Sequence, residues 1–376
     1  MTQPRQRKFW GWGYADERVS EAEAEAARAV YRARFGELPA PLTVPTAEEI
    51  ALAPARVRPP DSLKRFVTDA HVERVSHTYG QSYADLARAF MREFPHPPDL
   101  VAYPESDGDV EVALDWANGA NVAVIPFGGG TSVCGGVEPD VGDGYAGALS
   151  LDMSRMNRVL EIDRASRAAL IEAGARGPEF DGELKKHGLT LRHFPQSYMM
   201  ATLGGMSVTR SGGHFATLYT HIDEFVEAVH LVTPRGRLET RRLPGSGAGP
   251  SPERLVSGSE GIFGVLTRAW MRVQDAPVHR ASTSVRFTDT LQAAEAVRVI
   301  AQSGLNPANC RLLDKAEALN NMVDDGSHAV LVLGFESADH PQDAKLARAL
   351  EIAGDHGGAF KPPAQSGAKR DGAAEA

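Results

Sequence analysis

The sequence predicts an α+β protein built in more than one part, on three observations. Short β-type runs alternate with short helical patterns between about Tyr103 and Val273, a glycine-rich loop interrupts them at Gly128-Gly-Gly130, and a second strand–helix–strand–helix pattern follows Pro277. A chain of 376 residues has room for two cores, and 42% hydrophobic with 24% charged residues is the composition of a folded globular protein.

Each element has a local cause. Ser20-Glu-Ala-Glu23 has capping-box spacing, Ala24, Ala27, Tyr31 and Phe35 recur at helical intervals, and Gly36 ends that amphipathic helix. Pro39 to Pro60 is dotted with prolines and reads as an extended connector. Ser106 caps a helix carrying Val110, Ala113, Leu114 and Ala117, with Gly119 as its stop, and Val122 to Pro126 follows as a buried strand. Further strands are expected at Ala148–Asp152 and Ala168–Glu172, with a helix from Pro178 to His187 ending at Gly188. Glu227–Thr233, the turn Pro234-Arg-Gly236 and Arg237–Thr240 form a hairpin, and Leu243–Pro252 is an exposed loop. This irregular mixture favours α+β over regular βαβ winding. The second part has strands at Ser282–Phe287 and Ala329–Phe335, and helices at Leu291–Gln302 and Pro341–Ala353. From Pro362 to Ala376 the chain is small and polar without apolar period, the composition of a disordered tail.

Bulk chemistry removes several function classes. A net charge of −9 and a pI near 5.8 argue against a nucleic-acid partner. Cys134 and Cys310 lie far apart without CxxC spacing, so no disulfide framework, zinc site or other metal is expected. The start has no apolar leader and no apolar run reaches about 18 residues, so a cytoplasmic location is expected. Arg5, Arg7 and Lys8 beside Phe9, Trp10 and Trp12 allow at most a peripheral membrane contact, and a packed aromatic arm explains them more simply.

The chemistry concentrates in Pro126-Phe-Gly-Gly-Gly-Thr-Ser-Val133. Consecutive glycines let backbone approach a ligand and reach positive φ, so successive amides can form an anion nest to which Thr131 and Ser132 add hydroxyls. Alone, such a run is equally a tight surface turn. Val133 stands where GxGxxG needs glycine, and no GxxxxGK[ST], GxSxG or HExxH occurs.

Three segments follow the loop in order: Asp152-Met-Ser-Arg-Met-Asn-Arg158; Thr202-Leu-Gly-Gly-Met-Ser207 with Thr209-Arg-Ser-Gly-Gly213; and Gly258-Ser-Glu-Gly-Ile-Phe-Gly-Val265. On these residues the sequence resembles the FAD-linked oxidase family, with the FAD-binding fold of the vanillyl-alcohol oxidase type. Phe9-Trp-Gly-Trp-Gly-Tyr14, Arg74-Val-Ser-His-Thr-Tyr-Gly80, Val232-Thr-Pro-Arg-Gly236 and Arg311-Leu-Leu-Asp314 are most similar to its ether-lipid branch, the alkyldihydroxyacetonephosphate synthase group. The similarity runs collinearly over residues 8 to 360.

The resemblance implies an N-terminal helical arm and linker (1–60), a two-part FAD-binding domain (61–275), a partial α+β substrate or cap domain (276–360) and a tail (361–376). It implies that Pro126, Phe127, Gly128, Gly129, Gly130, Thr131, Ser132 and Val133 hold the FAD pyrophosphate. Asp152, Met153, Ser154, Arg155, Met156, Asn157 and Arg158, with Ala168, Ala169, Leu170 and Ile171, would line the cofactor channel. Glu260, Gly261, Ile262, Phe263, Gly264, Val265 and Leu266 would surround the adenine half, and Pro195, Ser197, Thr202, Gly204 and Gly205 the flavin. Arg210 would stabilise negative charge, unless it is a loop-holding ion pair, and His214 is the candidate base, unless it is structural. Covalently flavinylated members often carry histidine in the loop, and its absence here implies non-covalent FAD. The implied reaction exchanges the acyl group of acyl-dihydroxyacetone phosphate, a lipid-like small molecule, for a fatty alcohol without net redox change, in a homodimer. The family's substrate arginine, catalytic tyrosine and histidine cluster would lie past residue 360, so a truncated substrate domain is expected. An FAD-linked 2-hydroxy-acid dehydrogenase of lactate or glycolate type, and a non-catalytic FAD-binding remnant, stand as alternatives.

Overall fold

Residues 6–361, apart from Pro244, are described by the structure, a computed structural model. Arg5 and the expected tail from Pro362 onward fall outside them. The chain begins with α1 (Glu21–Phe35), whose capping box forms as the Ser20 spacing requires. None of its residues is buried, so its apolar stripe packs on nothing among the described residues.

The first lobe contains β1 (Val67–Thr68), α2 (His71–Ser76), α3 (Tyr83–Met91), β2 (Leu100–Ala102), α4 (Asp107–Gly119), β3 (Val122–Phe127) and β4 (Gly147–Asp152). Its sheet has the order β1-β2-β4-β3, and β4 pairs in parallel with both β2 and β3. The α4 crossover thus makes a βαβ-like unit that the irregular sequence pattern conceals. Leu100, Val110, Ala113, Leu149 and Leu151 fill its core. Two local expectations shift. Gly119 ends α4 from within, and Asn121 takes the left-handed turn at φ 53°. Residues 123–126 of β3 are only half-buried, because this strand is the sheet edge leading into the glycine loop.

The second lobe contains β5 (Val159–Asp163), β6 (Ala168–Glu172), α5 (Gly177–Lys186), β7 (Leu189–Thr190), α6 (Leu203–Val208), α7 (Ala216–Tyr219), β8 (Val226–Thr233), β9 (Gly236–Glu239), α8 (Pro252–Val256), β10 (Val265–Arg272) and β11 (Gln274–Asp275). An antiparallel sheet of order β5-β6-β10-β8-β9 forms its base, with the predicted hairpin at one edge.

The third part has β12 (His279–Phe287), α9 (Thr290–Gln302), β13 (Asn309–Leu313), α10 (Lys315–Asn320), β14 (Ala329–Ser337) and α11 (Asp343–Asp355), its sheet running β12-β14-β13. Alternate β14 residues Ala329, Leu331, Leu333 and Phe335 pack under α9 and α11. A buried fork joins this part to the second lobe: Arg192 Nε and Nη2 donate to Glu336 Oε1 and Oε2 at 2.6 and 2.5 Å. No helix among the described residues is long and apolar enough to cross a membrane.

Candidate cofactor site

The glycine loop turns off the end of β3 and lies directly against the segment leading into α6. A Cβ on Gly128 would meet Thr202 Oγ1 at 2.3 Å, and one on Gly129 would meet the Met200 carbonyl at 2.0 Å. Only glycine permits that approach, which is the physical reason for the run. Gly130 adopts φ 62°, in the left-handed region.

The loop's carbonyls and amides are sorted. Arg7 Nη1 donates to the Gly130 carbonyl at 2.9 Å, and the Gln81 amide to the Ser132 carbonyl at 2.6 Å. Among the described residues nothing accepts from the amides of Gly130, Thr131, Ser132 or Val133. With the Gly130 and Ser132 carbonyls occupied, this row of N–H groups is available to an anion.

α6 closes the other side of the cleft. Thr202 caps it by accepting from the Gly205 amide, while the Leu203 and Gly204 amides donate to the Ala175 and Ala173 carbonyls at 2.8 and 2.7 Å. The turn before β10 forms a third wall, with Gly261 (φ 87°) against Pro126 and Gly264 (φ 151°) against the Val232 carbonyl. Between these walls lies a narrow cleft lined by Pro126, Phe127, Gly128, Met153, Ala173, Thr202, Gly204, Gly205, Val208, Gly261, Gly264, Val265 and Leu266. Its lining is mostly apolar, and the glycine loop continues from Gly128 at its rim.

Several expected residues sit elsewhere. Ala168, Ala169, Leu170 and Ile171 pair with β10 inside the base sheet, and Ala173, two residues further on, reaches the cleft instead. Of Asp152–Arg158 only Met153 lines the cleft. Arg155 turns out to Glu105 and Arg158 to Glu172, both at 2.9 Å. Glu260, Ile262 and Phe263 are exposed while their neighbours line the wall. Pro195 and Ser197 shape the turn that delivers Met200 to Gly129. Arg210 lies outside the cleft, its Nη2 2.8 Å from Asp223 Oδ2, so the loop-holding ion pair is the role its geometry provides. His214 is off the lining and exposed, its pKa held below the usual imidazole range by partial desolvation and by nearby Arg311.

Two buried residues have partners that the sequence does not show. Asp152 is buried beneath the loop. Burial opposes its ionisation, but hydrogen bonds from His77, Nε2 to Oδ2 at 2.9 Å, and from the Ser154 amide hold it below the usual carboxylate range. His193 is buried with Nε2 2.8 Å from Ser211 Oγ, and burial, aided by His221, pulls its pKa down to about 4. It is a neutral imidazole at physiological pH.

The paired sheets, the glycine-lined cleft and its row of amides define a flavin-adenine-dinucleotide-binding domain. Residues 98–241 match the FAD binding domain family, and residues 276–373 match the C-terminal domain of the FAD linked oxidases. The chain belongs to the FAD-linked oxidase family, and FAD is its cofactor. It is 36% identical over 258 residues to the alkyldihydroxyacetonephosphate synthase of Dictyostelium discoideum, covering 69% of this chain and 41% of that protein. It is 30% identical over 222 residues to the mitochondrial cytochrome D-lactate dehydrogenase of Arabidopsis thaliana, covering 58% and 38%. A solved alkyldihydroxyacetonephosphate synthase structure superposes with a TM-score of 0.83 at 26% identity, over 96% of this chain and 75% of that one. The chain therefore spans about two-fifths of the curated relatives' length.

Proposed function

We propose that the protein is a flavoenzyme of the alkyldihydroxyacetonephosphate synthase type, exchanging the acyl group of acyl-dihydroxyacetone phosphate for a fatty alcohol. The observation that carries this reading is the superposition on a synthase structure over 96% of the chain, third part included. FAD, when bound, supplies an electrophilic ring that needs no net redox change in such an exchange. The chain's own residues orient and shield it. The amides of Gly130 to Val133 would hold the pyrophosphate, and Met153, Val208, Val265 and Leu266 would exclude water from the ring. With no histidine among Gly128–Val133, FAD binding is non-covalent.

Similarity to D-lactate dehydrogenase supports a second reading, an FAD-linked 2-hydroxy-acid dehydrogenase. One preparation separates the two. The purified chain with palmitoyl-dihydroxyacetone phosphate and hexadecanol should give ether product with the flavin spectrum unchanged at the end. Anaerobic bleaching by D-lactate without ether product would replace the first reading with the second, and bound flavin with neither outcome would sink both.

A further inference from the structure

Residues 6–15 fold into a tight hairpin outside the region that matches the FAD binding domain family. Arg7 and Tyr14 form its antiparallel bridge, with Lys8 N–H donating to the Gly13 carbonyl at 3.1 Å and Ala15 N–H to the Gln6 carbonyl at 2.8 Å. Phe9 and Trp10 root it in the first lobe by edge contacts to Phe94 and Phe90. Its two strands reach opposite sides of the cofactor cleft. Arg7 bridges the Gly130 and Ser76 carbonyls at 2.9 and 2.6 Å with its guanidinium 5.4 Å from the centre of the Phe127 ring. The Tyr14 hydroxyl donates to the Met199 carbonyl at 3.4 Å, beside the segment that packs on Gly129.

A peptide unit is planar and trans, so its C=O and N–H point in opposite directions. Fixing the Gly130 carbonyl on Arg7 therefore turns the Thr131 N–H away from the hairpin, and fixing the Ser132 carbonyl on the Gln81 amide does the same for Val133. Arg7 also occupies the space beside Gly130, where a Cβ would meet its guanidinium at 2.7 Å. We propose that the 6–15 hairpin is a cofactor clasp, and that Arg7 is a positioning residue holding the glycine loop in its phosphate-binding conformation. The inference rests on FAD occupying the cleft and goes beyond it by assigning retention of the pyrophosphate to a segment outside the binding domain.

The test compares FAD with riboflavin, which has the same ring and no phosphate. Dissociation constants for both are measured on the full chain by quenching of flavin fluorescence, for the parent protein, Arg7→Met and Arg7→Lys. Removing one charged donor should weaken FAD roughly ten- to hundredfold. Riboflavin binding should stay within about twofold, since nothing on the ring side of the cleft has changed. Arg7→Lys, which keeps the charge and reaches one of the two carbonyls, should recover part of the FAD loss, and it carries the comparison should Arg7→Met fail to fold. If both ligands weaken together, Arg7 is structural and the proposal falls; if neither weakens, the clasp does not exist. Failure of the parent protein to bind FAD would instead overturn the cofactor assignment itself.

Discussion

His77 Nε2 lies 2.9 Å from Asp152 Oδ2 beneath the Phe127 ring, so a buried acid and its donor support the floor of the cofactor loop. Replacing His77 with Ala leaves the carboxylate without that donor and should cost about 1–3 kcal/mol in urea unfolding at pH 7. Because the folded pKa of Asp152 is depressed, its contribution is present above the unfolded value near about 4 and is lost as pH falls through the folded value. Asp152→Asn should flatten the acid limb of the stability profile; an unchanged limb would contradict the assignment.

His193 titrates in a different window. With its folded pKa at about 4 against about 6.5 when unfolded, the unfolded chain binds the extra proton first. Stability should be full above about pH 6.5 and fall toward pH 4 with a slope approaching about 1.4 kcal/mol per pH unit. His193→Gln should lose this slope while keeping the Asp152 limb at lower pH.

Gly129→Ala should empty the cleft, since its Cβ would sit 2.0 Å from the Met200 carbonyl and one of the two backbones must move. Purified protein should contain little flavin and unfold about 1–3 kcal/mol more easily. Gly182→Ala is the control: it is exposed in α5 with nothing within 4 Å, and should stabilise the helix by up to about 1 kcal/mol with flavin content unaltered.

The Arg192–Glu336 fork is buried on both sides, 5% and 4% exposed. Arg192→Met alone should cost about 1–3 kcal/mol, since Tyr219 and Arg280 still face the Glu336 carboxylate, and Arg192→Met with Glu336→Met less than the sum of the singles. Additive losses in a double-mutant cycle would mean that the pair does not act as a unit.

The cysteines should react unequally. Burial pushes the Cys310 thiol up to about 11, whereas Cys134 is exposed beyond the glycine loop. Intact mass after brief maleimide treatment at pH 7 should show one adduct, which Cys134→Ser removes.

The glycine loop, the Ser106 and Ser20 caps and the 227–240 hairpin were legible because each is set by residues adjacent in the chain. The α+β class followed from the same local signals. The placement of Ala168–Ile171 inside the sheet was not legible, because small apolar residues look alike whether a strand faces a ligand or another layer. Arg210 left two readings open because its partner, Asp223, is fixed by the fold rather than by local spacing. The His77–Asp152 pair and the Arg7 contact were hidden for the same reason, joining positions 75 and 123 residues apart.

Those separations also order events during synthesis. The hairpin leaves the ribosome ahead of both its anchors, Gly130 and Met199, which lie 123 residues beyond Arg7 and 185 beyond Tyr14. At roughly 5–20 residues per second the second anchor emerges about ten to forty seconds after the hairpin. Nascent chains must pass through an unfastened interval, and that interval is a natural moment for flavin to load.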